Sequence, residues 1–139
     1  MARILAVDYG TKRVGIAITD PSQMIASGLT TVGTHELLDF LKNYFLKEEV
    51  ECLVVGYPRK LNNLDSESFK YVKQFETAFL RRYPDIPFIW VDERFSSSLA
   101  MDAMIRGGMK KKDRRIKENI DKISAAIILQ SYLEQKNKI

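Results

Sequence analysis

The run Ile4-Leu5-Ala6-Val7 constrains the chain most, because consecutive apolar residues suit a central strand buried on both faces. It ends in a carboxylate, Asp8, and the chain turns at once through Gly10. A second strand is predicted from Val14, with Val14, Ile16 and Ile18 on one face and the small residues Gly15 and Ala17 on the other. Small residues there let another backbone or a ligand come close. Asp8 therefore stands where a buried strand emerges, beside a turn bearing Thr11, Lys12 and Arg13. Such a place suits a metal ion or a phosphate; a solvated strand-end aspartate is the plainer alternative.

Asp20-Pro21-Ser22 marks the next turn, and Ile25 to Val32 reads as a third strand interrupted by Gly28, so three antiparallel strands come first. Thr34 is expected to cap a helix whose buried face carries Leu37, Leu38, Leu41, Tyr44 and Phe45. His35 falls in that first turn and is expected to be exposed rather than a catalytic base. Cys52 to Val55, running into Gly56-Tyr57-Pro58, is expected to be a fourth strand, parallel to the first through the helical crossover. After a polar loop from Arg59, Asp65 or Ser66 would cap a second helix. Its stripe of Phe69, Val72, Phe75, Phe79 and Tyr83 marks core rather than a ligand box.

Phe88 to Val91 forms the predicted fifth strand and leads into Asp92-Glu93-Arg94. A short helix is expected over Phe95 to Ile105, and a last one from about Lys117. On the latter, Ile116, Ile120, Ile123 and Ile127 share one face, and Asp121 lies on the adjoining face with Ser124, Ala125 and Ile128. The class is α/β, and at 139 residues it is expected to be a single domain over 1–139.

One cysteine and one histidine exclude an internal disulfide framework and a zinc site built from those ligands. Cys52 reads as a core residue. No apolar stretch approaches membrane-spanning length, and the N-terminus runs straight into a strand, so a reducing, cytoplasmic setting without a membrane partner is expected. The net charge of +4 is a mild bias, but its distribution is not even. Lys110, Lys111, Lys112, Arg114, Arg115 and Lys117 crowd one short segment, with Arg106 just before it. That block is either a solvated loop or a surface for a phosphate backbone.

Asp8, Asp92 or Glu93, and Asp121 form the candidate constellation. In an open sheet with parallel strands 1, 4 and 5, the first two positions lie on the carboxyl edge, where ligands bind in such sheets. A helix packed across the face can bring Asp121 there. Hard oxygen ligands imply Mg²⁺ or Mn²⁺. Two such ions about 4 Å apart can hold a scissile phosphate, activate water and stabilise the departing oxygen. Lys12, Arg13, Arg94 and the basic segment would follow a nucleic-acid backbone without reading its sequence.

Asp8-Tyr9-Gly10-Thr11-Lys12-Arg13-Val14-Gly15-Ile16-Ala17 resembles the opening signature of the YqgF/RuvX family. So do Val54-Val55-Gly56-Tyr57-Pro58, Asp92-Glu93-Arg94-Phe95-Ser96-Ser97 with Ala100, and Asp121-Lys122-Ile123-Ser124-Ala125-Ala126. These motifs fall in the family's order and cover nearly the whole chain. The resemblance implies a ribonuclease H-like fold with a five-stranded mixed sheet in the order 3-2-1-4-5, flanked by helices and related to the resolvase RuvC. Members are described as resolvases and as nucleases processing the 5′ end of pre-16S rRNA in the bacterial cytoplasm. It further implies that Asp8, the acid of the Asp-Glu-Arg motif and Asp121 are catalytic metal ligands, with Glu93 favoured as the ligand and Asp92 supporting. Two departures stand out: Ser96-Ser97 where Ser-Thr is common, and a loop from Arg59 to Asp65 that lacks glycine.

The expected activity is metal-dependent hydrolysis of structured RNA, with ribosomal assembly intermediates as partners. A resolvase of four-way DNA junctions is the nearest rival, but it needs paired sites and the sequence shows no clear dimer seam; a monomer or weak dimer is expected. A non-catalytic RNA-binding assembly factor would use only the basic surface. An ATPase of the actin and sugar-kinase kind resembles the Asp8 hairpin too, yet needs a second such domain.

Overall fold

In the computed structural model, residues 2–10, 12–57, 67–92 and 117–137 are described. Strands β1 (Arg3–Tyr9), β2 (Arg13–Thr19), β3 (Ala26–Gly33), β4 (Val50–Tyr57) and β5 (Phe88–Asp92) form a five-stranded sheet in the order β3-β2-β1-β4-β5. The first three are antiparallel, and β4 runs parallel to both β1 and β5. Helices α1 (Leu37–Lys47), α2 (Glu67–Arg82) and α3 (Lys117–Asn137) complete the described elements.

The central position of β1 explains its unbroken apolar run. Ile4, Leu5, Ala6 and Val7 are all fully buried, because both faces of the sheet are covered. Leu5 and Val7 join Val14, Ile16, Leu53 and Val55 beneath Leu37 and Leu41 of α1 and Val72, Phe75 and Phe79 of α2. Phe79 sits among the rings of Phe45, Phe75, Tyr83 and Phe88, with centroids 5.2–6.2 Å away. On the opposite face, Ile4 and Ala6 join Ala17, Cys52, Val54 and Val91 beneath Ala125, Ile128, Leu129 and Leu133 of α3.

The approach of α3 depends on small residues. Ala6 pairs with Ala17, and Ala17 with Gly28, so a shallow row crosses three strands. A Cβ added at Gly28 would lie 3.1 Å from the Lys122 Cβ and 3.3 Å from the Lys122 carbonyl oxygen. The helix backbone therefore rests almost directly on the sheet. This contact decides which side of α3 is buried. Ile123 and Ile127, which share one face, are half-buried, whereas Ser124, Ala125 and Ile128 of the adjoining face are buried together with Leu129 and Leu133. The buried side thus combines small residues with Ile128, Leu129 and Leu133, and Ile123 and Ile127 flank it.

Thr34 also departs from expectation. A 3₁₀ turn, Thr34–Glu36, precedes α1, and neither segment has a side-chain cap. The Thr34 hydroxyl is engaged elsewhere, as described below. The strand limits shift modestly: β2 starts at Arg13, β3 runs on to Gly33, and β4 begins at Val50. The proposed caps Asp65 and Ser66, the loop from Arg59 and the helix over 95–105 lie outside the described residues, as does the Phe69 side chain.

Candidate active site at the carboxyl edge of the sheet

Asp8 stands two positions beyond Ala6 on β1, so its side chain falls on the α3 face, about 7 Å further towards the carboxyl edge. It is half-buried. Its partner across the ladder is Gly15, which in turn pairs with Thr31. Where the row through Ala6 is roofed by α3, the next row carries the carboxylate. Alternation puts the following residue, Tyr9, on the other face. There its ring stacks on Phe75 of α2 at 5.4 Å, and burial raises the phenol's pKa. The strand end is thus held from below while Asp8 is presented above.

The turn after Asp8 is tight. A Cβ at Gly10 would lie 2.5 Å from the Arg13 carbonyl oxygen, a backbone atom that cannot move aside cheaply. The Thr34 hydroxyl donates to the Gly10 carbonyl at 2.6 Å, and the Thr34 N–H donates to the Lys12 carbonyl at 3.1 Å. Lys12 is exposed; Arg13 is half-buried, opposite Gly33 of β3.

Two other chain segments converge on this edge. Parallel pairing of β1, β4 and β5 carries Asp92, opposite Tyr57, to the same end of the sheet as Asp8. Helix α3 runs the other way. Its Lys122 lies on Gly28, whereas Lys136 donates to Gln23 at 2.9 Å and Glu51 at 3.3 Å, and Gln23 donates to the Ala2 carbonyl at the opposite end of the sheet. The start of α3, which contains Asp121, therefore belongs to the Asp8 end. The side chains of Asp92 and Asp121 lie outside the described residues. So do Glu93, Arg94, Arg106, Lys110, Lys111, Lys112, Arg114 and Arg115.

Asp8 offers a hard oxygen donor, which fits Mg²⁺ or Mn²⁺. Among the described residues, no three His, Cys, Asp or Glu side chains gather into a metal cluster. Cys52 is buried in the core with its thiol pushed up by desolvation, so it is no soft ligand here. His35 is exposed and lies 3.4 Å from Glu36, as a solvated side chain rather than a buried base. Thr34 is the residue that sequence reasoning misplaced: read as a helix cap, it instead ties the helix start to the hairpin turn.

Comparison with known proteins agrees with this architecture. The family described as RuvX, Holliday junction resolvase, matches residues 2–135. A relative from Phocaeicola vulgatus named "putative pre-16S rRNA nuclease" is 55% identical over 139 residues, covering all of both chains. One from Porphyromonas gingivalis with the same name is 49% identical over 138 residues, 99% of this chain and all of its own. Among solved structures, the fowlpox virus resolvase bound to Holliday junction DNA aligns with a TM-score of 0.66 at 14% identity, covering 98% of this chain and 99% of that one. Thermus thermophilus RuvC with a Holliday junction substrate aligns at 0.58 and 13% identity, covering 98% and 96%. The structural likenesses establish a shared RuvC-like, ribonuclease H-like fold, and the full-length family match establishes membership: this chain belongs to the RuvX family.

Proposed function

We propose that the chain is a divalent-metal-dependent nuclease that hydrolyses phosphodiester bonds of structured RNA, with the 5′ end of pre-16S rRNA as its target during ribosome assembly in the cytoplasm. The observation that carries this reading is Asp8 at the carboxyl edge of a RuvC-like sheet, in a chain 55% identical end to end to a relative named for that nuclease activity. Asp8, Glu93 and Asp121 would hold Mg²⁺ or Mn²⁺, with Asp92 in support. The preference for Glu93 over Asp92 rests on the resemblance of the Asp-Glu-Arg motif to that of the family. A bound divalent ion supplies Lewis-acid activation of the scissile phosphate.

The chain's own contribution is orientation. The Tyr9–Phe75 stack fixes the strand end, and the tight Gly10 turn holds Lys12 and Arg13 beside it, where cations would engage phosphates. Arg94, Arg106 and the basic segment would extend that contact. A DNA-junction resolvase remains the second reading, favoured by the family's own description. End-labelled 5′-extended 16S precursor RNA, single-stranded RNA and a four-way DNA junction, each incubated with Mg²⁺, distinguish them. Cutting of the precursor is expected, and paired symmetric nicks in the junction alone would select the resolvase.

A further inference from the structure

We infer that Thr34 is a positioning residue for the nucleic-acid contact, acting through the hairpin turn that carries Lys12. This deepens the nuclease reading and rests on it. Thr34 lies where β3 passes into the 3₁₀ turn before α1, on a different segment from the turn it touches. It nevertheless engages that turn twice. Its hydroxyl donates to the Gly10 carbonyl at 2.6 Å and its N–H to the Lys12 carbonyl at 3.1 Å. The two carbonyls flank the residue between them, so the clasp spans the turn rather than one end of it. Within its own 3₁₀ turn Thr34 takes part through its carbonyl, which accepts from the Leu37 N–H, while its hydroxyl donates to Gly10.

The turn has a reason to need a clasp. It joins a strand end that is fixed, through Tyr9 on Phe75, to a lysine that is exposed. Only glycine fits at position 10, because a Cβ there would meet the Arg13 carbonyl at 2.5 Å. A backbone held at both ends limits the positions open to the Lys12 ammonium. Less order then remains to be imposed when a phosphate binds, which is how preorganisation raises affinity.

The test is a double-mutant cycle on binding and cleavage of a 5′-extended 16S precursor transcript, with Thr34→Val, Lys12→Ala, their combination and Thr34→Ser. Val keeps the shape and the backbone N–H bond but removes the hydroxyl donor; Ser keeps the donor. Thr34→Val is expected to weaken binding and raise KM about fivefold, leaving kcat within about twofold of wild type and the melting temperature nearly unchanged. In the Lys12→Ala background it should add no further loss, because the two residues act through one element. Thr34→Ser should restore wild-type behaviour. Amide exchange at the turn should quicken in Thr34→Val while the β1–β2 ladder stays protected, a readout independent of RNA. Should Thr34→Val not fold, Thr34→Ala takes its place in the cycle.

Wild-type binding by the valine variant, or losses that multiply in the double variant, would overturn the proposal while leaving the nuclease reading intact. If wild-type protein neither binds nor cuts the transcript, the nuclease reading fails, and this inference falls with it.

Discussion

Asp8 of β1 and Gly15 of β2 are direct partners in the antiparallel ladder, so the carboxylate at the sheet edge has a neighbour with no side chain. Directly opposed residues bring their Cβ positions to about 5 Å, near enough for a branched side chain to contact the carboxylate. Gly15→Val should therefore disturb the carboxylate. Misplacement of a reacting group by about 1 Å costs on the order of 100-fold in rate. The expected result is a kcat loss approaching that size with RNA affinity preserved, read from single-turnover cleavage and filter binding.

Gly28 tests the seat of α3. Its missing Cβ leaves room for Lys122, and any replacement must push the helix away by a few tenths of an ångström. Overpacking of this kind costs about 1–3 kcal/mol. Gly28→Ala should lower the melting temperature, and Gly28→Val should lower it further. Activity should fall alongside, because the displaced helix carries Asp121 beside Lys122. Denaturant titration and cleavage of the same preparations check both parts.

Asp20 predicts an acid-sensitive turn. Its carboxylate accepts from the Ser22 hydroxyl and, at 2.8 Å each, from the N–H groups of Ile25 and Met24. Those bonds, the Ser22 hydroxyl first, hold its pKa below the usual carboxylate range. A carboxylate whose folded pKa is depressed stabilises the fold fully above its unfolded pKa, about 3.9, and loses that contribution as pH falls towards the folded value. Wild type should melt above Asp20→Asn by a constant margin from about pH 5 to 8, and the margin should shrink below about pH 4. Thermal melts by circular dichroism across that range check it. A margin independent of pH would contradict the assignment.

Much of this fold is legible in the sequence because its strongest constraint is local. Ile4 to Val7 has no polar face, so it demands cover on both sides, and the structure supplies α1 and α2 on one and α3 on the other. Strand-end acids at Asp8 and Asp92 follow from the same runs. What stayed hidden was assembled across the chain. Thr34 bonds a carbonyl 24 positions earlier, and no local periodicity records such a link. Which side of α3 is buried was left open by its periodicity, because apolar residues occupy both adjoining faces. The row of Ala6, Ala17 and Gly28, on which Lys122 of α3 closely rests, exists once three strands are paired.

The central claim is that Asp8 serves chemistry while the cations serve affinity. The most direct measurement is cleavage of end-labelled 5′-extended 16S precursor RNA by wild type and Asp8→Asn, with Mg²⁺, Mn²⁺ or EDTA, alongside binding of the same RNA. Wild type should cut only with a divalent ion, and Asp8→Asn should bind as tightly yet lose at least about 100-fold in cleavage, as expected when a group serving the transition state is removed. Cleavage by Asp8→Asn at the wild-type rate, or undiminished cutting in EDTA, would contradict the account.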